Sequence, residues 1–465
     1  MTEIRKALNE SKTARWVALA IVSFTMLCGY YIADVMAPLK GLLEQQLSWN
    51  SEEYGFFTSA YGWFNVFLFF LIFGGIILDK MGVRFTGIMS SGVMVLGMSI
   101  KFWAVTTHSL DGQVWDLYIF SSKAQVLMAG VGYAIFGVGV EVAGITVSKI
   151  IVKWFKGKEM ALAMGLQMAT ARIGTGIAIG TSLPVAKYFG TVSMPLLFGL
   201  VMACIGLIAF IIFSFQDKKL DVSLAAYNKH HNIVDDEEAF KIRDIWNIVT
   251  NKGWWYIAIL CVLFYSAVFP FLKYATDLMV QKFHVNEDWA GLIPAMLPFG
   301  TILLTPIFGN VYDKKGKGAT IMIIGAILLI FVHTLFTLPF LNHWSIAIFL
   351  ILVLGVGFSL VPSAMWPSVP KIIPEKQLGT AYSLIFWVQN WGLMGVPALI
   401  GWVLNTYCII GHKVLDNGST VTLFNYTIPM MIFTGFSLLA LIFAFLLKAE
   451  DKKKGYGLEL PNIKK

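Results

Sequence analysis

Charge is scarce in this sequence. Of its 465 residues, 13% are Asp, Glu, Lys or Arg against 57% hydrophobic, and the mean hydropathy is +0.72. Soluble domains carry about a quarter charged residues, so a chain of this length cannot cover itself with a water-compatible surface. Cysteine is equally sparse. Cys28, Cys204, Cys261 and Cys408 are scattered, without the spacing of a disulfide framework or a metal site. Also missing are a nucleophile–base pair, a phosphate-binding glycine loop and a cluster of metal ligands, so neither an enzyme nor a cofactor is expected. The first apolar segment lacks a small-residue cleavage site and reads as a retained helix rather than a signal peptide.

What the chain has in abundance is long apolar runs. A helix needs about 18 or more such residues to cross a hydrocarbon core of about 30 Å. Twelve runs qualify, near residues 16–38, 54–78, 85–107, 124–151, 159–187 and 192–215, then 253–280, 288–312, 319–340, 344–368, 377–404 and 425–448. The expected fold is an all-α integral membrane protein of twelve transmembrane helices in two pseudo-symmetric six-helix bundles. Residues 1–215 form the first bundle, 216–250 a polar cytoplasmic linker with room for a short surface helix, 251–448 the second bundle and 449–465 a cytoplasmic tail. With both termini placed inside, 27 of the 35 lysines and arginines fall on the cytoplasmic side and seven at outer loops and outer helix ends. One, Arg172, is left deep in the membrane. The formal charge of +8 is therefore topological, and nucleic-acid binding is not needed to explain it. His333, in the ninth span, reads as a satisfied packing residue.

The stretch GIILDKMG at 75–82 recurs as GNVYDKKG at 309–316, placing Gly75, Asp79 and Gly82 over Gly309, Asp313 and Gly316. Both copies follow the second helix of a half, the mark of a duplicated carrier. An Asp at a helix end can bond exposed N–H groups and nearby basic side chains, and the glycines permit a tight turn. The pattern G-x-x-x-D-[RK]-x-G resembles the loop between helices 2 and 3 of the major facilitator superfamily. That resemblance implies a gating latch between the halves rather than a substrate site. Longer runs, WFKGKEMALAMGLQMATARIG at 154–174, MWPSVPKIIPEKQLGTAY at 365–382 and VQNWGL at 388–393, resemble the dipeptide transporters of lysosomal membranes within that superfamily and their bacterial relatives.

Two charges stand out inside the membrane. Glu141 lies in FGVGVEVAG and Arg172 in MATARIGTG, with the basic turn KWFKGKE midway between them. If the fourth and fifth helices form a hairpin about that turn, both residues sit roughly 20 Å from it at about 1.5 Å per residue, near mid-bilayer. Gly137, Gly139 and Gly144 on one helix and Gly165, Ala169, Gly176 and Gly180 on the other should let the backbones approach, so that the pair can touch. An isolated charge at that depth costs about 2.5–3.5 kcal/mol on lenient scales, and intramembrane charges usually mark a pathway. A free dipeptide separates an ammonium from a carboxylate by about 7 Å. Glu141 suits the ammonium and Arg172, a planar fork, the carboxylate. The resemblance implies the same two roles, and a site that reads termini should accept many side chains.

In the second half, aligning KGKEMALA (156–163) with PEKQLGTA (374–381) sets Asn390 over Arg172. Gln389, Asn390 and Trp366 become candidates to bond or stack on the peptide unit, with ordinary packing an equal alternative. Tyr30, Tyr31 and Tyr61 can line a cavity or anchor at the bilayer interface. Asp34 can form a gate, bind an ammonium or cap a helix break before Pro38. Lys273, also a candidate contact, forms either a gate or a local ion pair with Asp277, one turn on; the local pair is favoured. The expected function is alternating-access dipeptide transport across a lipid bilayer; the resemblance implies uniport, helix 1 reads TMLCGYYIADVMAP and lacks the ExxER pattern of proton-coupled peptide carriers, and proton coupling stays open. The alternative is an organic-anion or sugar-acid carrier of the same fold, with proton coupling open. A monomer without an evident accessory subunit is expected, in a bacterial inner membrane because the N-terminus lacks an acidic dileucine signal; a lysosomal membrane is the alternative.

Overall fold

The computed structural model describes residues 8–116, 121–155, 159–231, 242–374, 377–414 and 420–462. The first half contains α1 (Lys12–Asp34), α2 (Lys40–Leu47), α3 (Ser51–Ser59), α4 (Trp63–Phe67), α5 (Phe70–Thr106), α6 (Ala124–Phe155), α7 (Met160–Phe189) and α8 (Ser193–His231). The second contains α10 (Lys252–Gln281), α11 (Glu287–Ala290), α12 (Leu292–Lys315), α13 (Gly318–Thr337), α14 (Trp344–Ile372), α15 (Leu378–Tyr407) and α16 (Thr427–Lys454), with the short α9 (Ile242–Val249) between the halves. Two antiparallel hairpins, β1 (Val114–Asp116) with β2 (Ser121–Lys123) and β3 (Ile409–Val414) with β4 (Thr420–Phe424), lie at one end of the molecule.

Among the described residues, ten helical segments are long and apolar enough to cross a membrane by length and composition. The twelve spans emerge when α7 is counted and α5 is divided at Gly82. There the backbone leaves the helix with φ 75° and ψ 172°, a region only glycine occupies readily. The second span is itself interrupted at Phe69, whose left-handed φ of 56° separates α4 from α5. Large apolar side chains such as Ile208, Phe215, Leu303, Ile307, Phe349 and Phe445 stay exposed along the helices, as lipid-facing positions require.

Inside the first half α5 packs on α6 and α8, and α1 on α7 and α8; inside the second, α10 packs on α15 and α16, and α14 on α12 and α13. The halves meet along α3 with α15 and α7 with α12. Helix α8 runs on past residue 215 because it carries Asp217 and Asp221, which hold basic groups from two neighbours. Lys153 Nζ lies 2.8 Å from Asp217 and 2.6 Å from Asp221, and Arg84 donates to Asp221 at 2.7 Å. The acidic run 235–238 and the turn 156–158 lie outside the described residues.

After α16 the chain doubles back onto the α12–α13 connection. Lys317 N donates to Glu459 O and Gly318 N to Leu458 O, both at 2.9 Å, while the Glu459 carboxylate accepts from Thr320 N and Oγ1 at 2.9 and 2.8 Å. Leu458 is fully buried in this contact, and Asn462 Nδ2 donates to Asp313 Oδ1 at 2.8 Å.

Candidate functional site

Glu141 lies midway along α6, half-buried. One turn earlier, Gly137 faces the carbonyl of Tyr61, and a Cβ there would stand 2.2 Å from that oxygen. The absent side chain therefore lets the 3-10 turn Ala60–Gly62 lie against α6, and Tyr61 Oη donates to Glu141 Oε1 at 2.7 Å. A hydroxyl donating to a carboxylate is a charge-assisted bond, roughly twice as strong as a neutral one.

Arg172 on α7 is placed by a similar device. A Cβ on Gly174 would fall 2.3 Å from Leu27 O, so α7 lies directly on α1 and brings the guanidinium to Tyr30. Its central carbon is 5.8 Å from the Tyr30 ring centre and 5.1 Å from both Phe269 on α10 and Phe358 on α14. Such contacts are worth about 0.5–2 kcal/mol each, depending on desolvation. No described carboxylate lies within ion-pair distance of this guanidinium, and it makes no hydrogen bond with a described residue.

Glu141 and Arg172 thus do not touch, contrary to the sequence expectation, and α6 and α7 pack mainly on other helices. The small residues explain this. Gly139 meets Met94 and Ser90 of α5, Gly137 meets Tyr61, and Gly176 and Gly180 meet Phe299, Leu292 and Ala295 of α12. Small-residue stripes select a helix's neighbours, and here the neighbours are not the partner in the sequence hairpin.

The second half supplies aromatic rings rather than charge. Trp366 donates from Nε1 to Tyr265 Oη at 3.2 Å and stacks 5.1 Å from Phe386; Tyr265 in turn stacks 5.2 Å from Phe269. A continuous row of rings therefore joins Trp366 to Arg172. Gln389 is buried and accepts a weak bond from Cys261 Sγ at 3.6 Å. Asn390 is fully buried, its Nδ2 donating to Phe386 O at 2.9 Å and its Oδ1 without a partner. Tyr31 is buried, its ring against Gly199 of α8.

Phe269, Phe358 and Tyr265 escaped the sequence reading. A signal for Phe358 existed: GVGVEV at 137–142 recurs as GVGFSL at 355–360. That register sets Phe358 over Val140 and Ser359 over Glu141, and Ser359 merely bonds Gly355 O at 2.8 Å.

One end of the molecule is closed by charge. Lys273 Nζ lies 2.6 Å from Asp34 Oδ1 and 2.7 Å from Ala33 O, and Thr175 Oγ1 donates to Asp34 Oδ2 at 2.8 Å. Lys40 pairs with Asp277 at 2.9 Å, with Tyr426 Oη also on that carboxylate, and Lys187 reaches Glu287 and Asp288 at 2.8 and 3.0 Å. Each of these ion pairs joins the first half to the second. The local Lys273–Asp277 pair is therefore overturned, because both side chains point at the other half, where better-buried partners wait. Asp34 ends α1, as a residue before the Pro38 turn should.

At the opposite end the ion pairs described stay within one half. Asp79, in the first copy of the repeated loop, accepts from Lys149 of α6 at 2.8 Å, and Arg15 pairs with Glu159 at 3.1 Å. Asp313 is held by Asn462, and Gly316 has φ 68° with the tail directly against it. Gly75 and Gly309 meet nothing within 4 Å. His333 is a packing residue between Phe271 and Phe433, at 5.3 and 5.5 Å, beside the backbone of Ala267.

A sequence profile of the Major Facilitator Superfamily matches residues 19–397, and again 275–461. The lysosomal dipeptide transporter MFSD1 of Bos taurus is 28% identical over 403 residues, covering 84% of this chain and 80% of that protein. Its Homo sapiens counterpart is 27% identical over 402 residues with the same coverage. Among solved structures, the D-xylose-proton symporter superposes with a TM-score of 0.67 at 14% identity, over 92% of this chain and 97% of that one. The peptide transporter POT in complex with sulfate gives 0.64 at 13% identity, over 95% of each. At those identities the two structures speak for the fold.

Proposed function

This chain belongs to the major facilitator superfamily, and we propose that within it the protein is an alternating-access uniporter of free dipeptides. The observation that carries this is the separation of Glu141 from Arg172. Two opposite charges, one in the middle of α6 and one in the middle of α7, are each held by aromatic neighbours instead of by each other. A buried pair kept for stability would be closed, since an open buried charge is costly. Two separate charges match a zwitterion.

The substrate ammonium docks on the Glu141 carboxylate beside Tyr61, and its carboxylate takes the Arg172 fork edge-on, leaving the guanidinium face on Phe269 and Phe358. Both charges belong to the first half together with Tyr30 and Tyr61, and Phe269 and Phe358 to the second, so closing the halves around a bound dipeptide desolvates the site. Nothing in this arrangement reads a side chain, which supports broad specificity. Asp34, Lys273, Lys40 and Asp277 form the gate at one end, and the repeated loops of Asp79 and Asp313 lie at the other. With basic residues inside, the gated end faces outward. Family and relatives support transport; the dipeptide and the uniport are our inference.

The test is thermal unfolding in detergent with dipeptides, N-acetylated dipeptides, single amino acids and organic acids, because a ligand of the folded state raises its melting temperature. Stabilisation by many dipeptides but not by their N-acetyl forms is expected. Stabilisation by organic acids alone would replace the dipeptide with an anion.

A further inference from the structure

Lys101, one of the seven basic residues at the outer loops and outer helix ends, is fully buried on α5. Its Nζ donates to Ile32 O at 3.1 Å and lies 4.8 Å from the Tyr133 ring and 5.6 Å from that of Phe136. No described carboxylate pairs with it, although Asp34 is only two residues beyond the carbonyl it holds. Its backbone cannot drift away, because a Cβ on Gly132 of α6 would stand 2.5 Å from Lys101 N. Around the C-terminal end of α1 there are thus two ammonium groups, Lys101 and Lys273, and one carboxylate, with Tyr133 Oη donating to Ala33 O at 2.6 Å and accepting from Lys273 at 3.3 Å.

An ammonium buried without a counter-ion is unfavourable, and a lysine held at that spot needs a reason. The two lysines differ in which half carries them. Lys101, Tyr133, Thr175 and Asp34 all belong to the first half, whereas Lys273 rides on α10 of the second. When the halves part at this end, Lys273 leaves and Asp34 would be stranded. We propose that Lys101 is the alternate partner of Asp34, taking the carboxylate when the gate opens and returning to Ile32 O when Lys273 comes back. With the gate shut, the extra positive charge rests against the free carbonyls of α1 and the face of Tyr133; with it open, Asp34 and Lys101 neutralise each other. Neither state then contains a stranded carboxylate, and the two remain close in free energy, as a carrier that must visit both requires. This rests on the alternating-access reading above.

Spin labels on cysteines at Asp111 and Asn342, exposed positions of the two halves at the gated end, with Cys204→Ser, read the separation of the halves in the purified protein. Wild type is expected to show a short and a long distance, shifted by dipeptide. Lys101→Met should move the population about tenfold or more toward the short distance, Lys101→Arg should restore it, and Lys101→Met should add nothing in an Asp34→Asn background. Melting temperatures show whether each variant is folded; if Lys101→Met is not, the comparison of Lys101→Gln with Lys101→Arg decides. Two distances in wild type that are unchanged in the neutral variant overturn the exchange and leave the carrier standing. A single distance in wild type, with and without dipeptide, overturns both.

Discussion

Exchanging termini on the ligand against charges on the protein isolates each contact at the Glu141–Arg172 site. A charge-assisted hydrogen bond contributes about 1.5–3 kcal/mol, or roughly 10- to 150-fold in Kd. Wild type should therefore bind a free dipeptide about 10- to 150-fold more tightly than its C-terminal amide, and by a similar factor more tightly than its N-acetyl form. Arg172→Gln should abolish discrimination against the amide and keep discrimination against the N-acetyl peptide. Glu141→Gln should do the reverse, since its amide oxygen still accepts from Tyr61 Oη and holds the local structure. Arg172→Lys should recover only part of the loss, because an ammonium cannot stack on Phe269 and Phe358 as the planar fork does. Titration calorimetry, or counterflow in proteoliposomes with each peptide pair, measures both ratios in each protein. Crossed results, with Arg172→Gln erasing the N-acetyl effect, would reverse the assignment of ends. Equal losses for every peptide would place the termini elsewhere.

Three further outcomes follow from the packing. Gly137→Ala places a Cβ 2.2 Å from Tyr61 O and should cost about 1–3 kcal/mol by overpacking; dipeptide affinity should fall further than melting temperature accounts for, since Tyr61 is pushed off Glu141, and a proportional fall would sever that link. Gly82→Ala, at φ 75°, should lower stability by about 1–3 kcal/mol, whereas Gly75→Ala, which meets nothing, should leave the melting temperature unchanged. His333→Phe replaces an imidazole that lies in an aromatic slot beside the Ala267 backbone, so the melting temperature should change little; a drop of several degrees would show that the ring's hydrogen bond matters more than its packing.

The spans, the duplication and the two intramembrane charges were legible because each depends on a short stretch of chain: run length, a repeated loop, an ionisable residue among apolar ones. Partners were less so. The i,i+4 spacing of Lys273 and Asp277 suggests a local pair, and only the meeting of α10 with α1 and α2 redirects both. Arg172 stands out in the sequence as a charge among apolar residues, but its rings come from α1, α10 and α14, which no local pattern brings together. Adjacency in sequence also misled for α6 and α7, whose glycines are spent on other neighbours. Lys101 looked like an ordinary outer charge because position near a helix end does not reveal which way the side chain turns.

The segment behind α16 gives the duplicated loops different owners. Asp79 answers to a lysine of its own bundle, whereas Asp313 answers to Asn462, a residue beyond the last helix. For protein engineering, the segment behind α16 is therefore a structural element rather than a free handle. A fluorescent protein or affinity tag fused directly after Asn462 pulls on the turn between α12 and α13 and needs a flexible spacer.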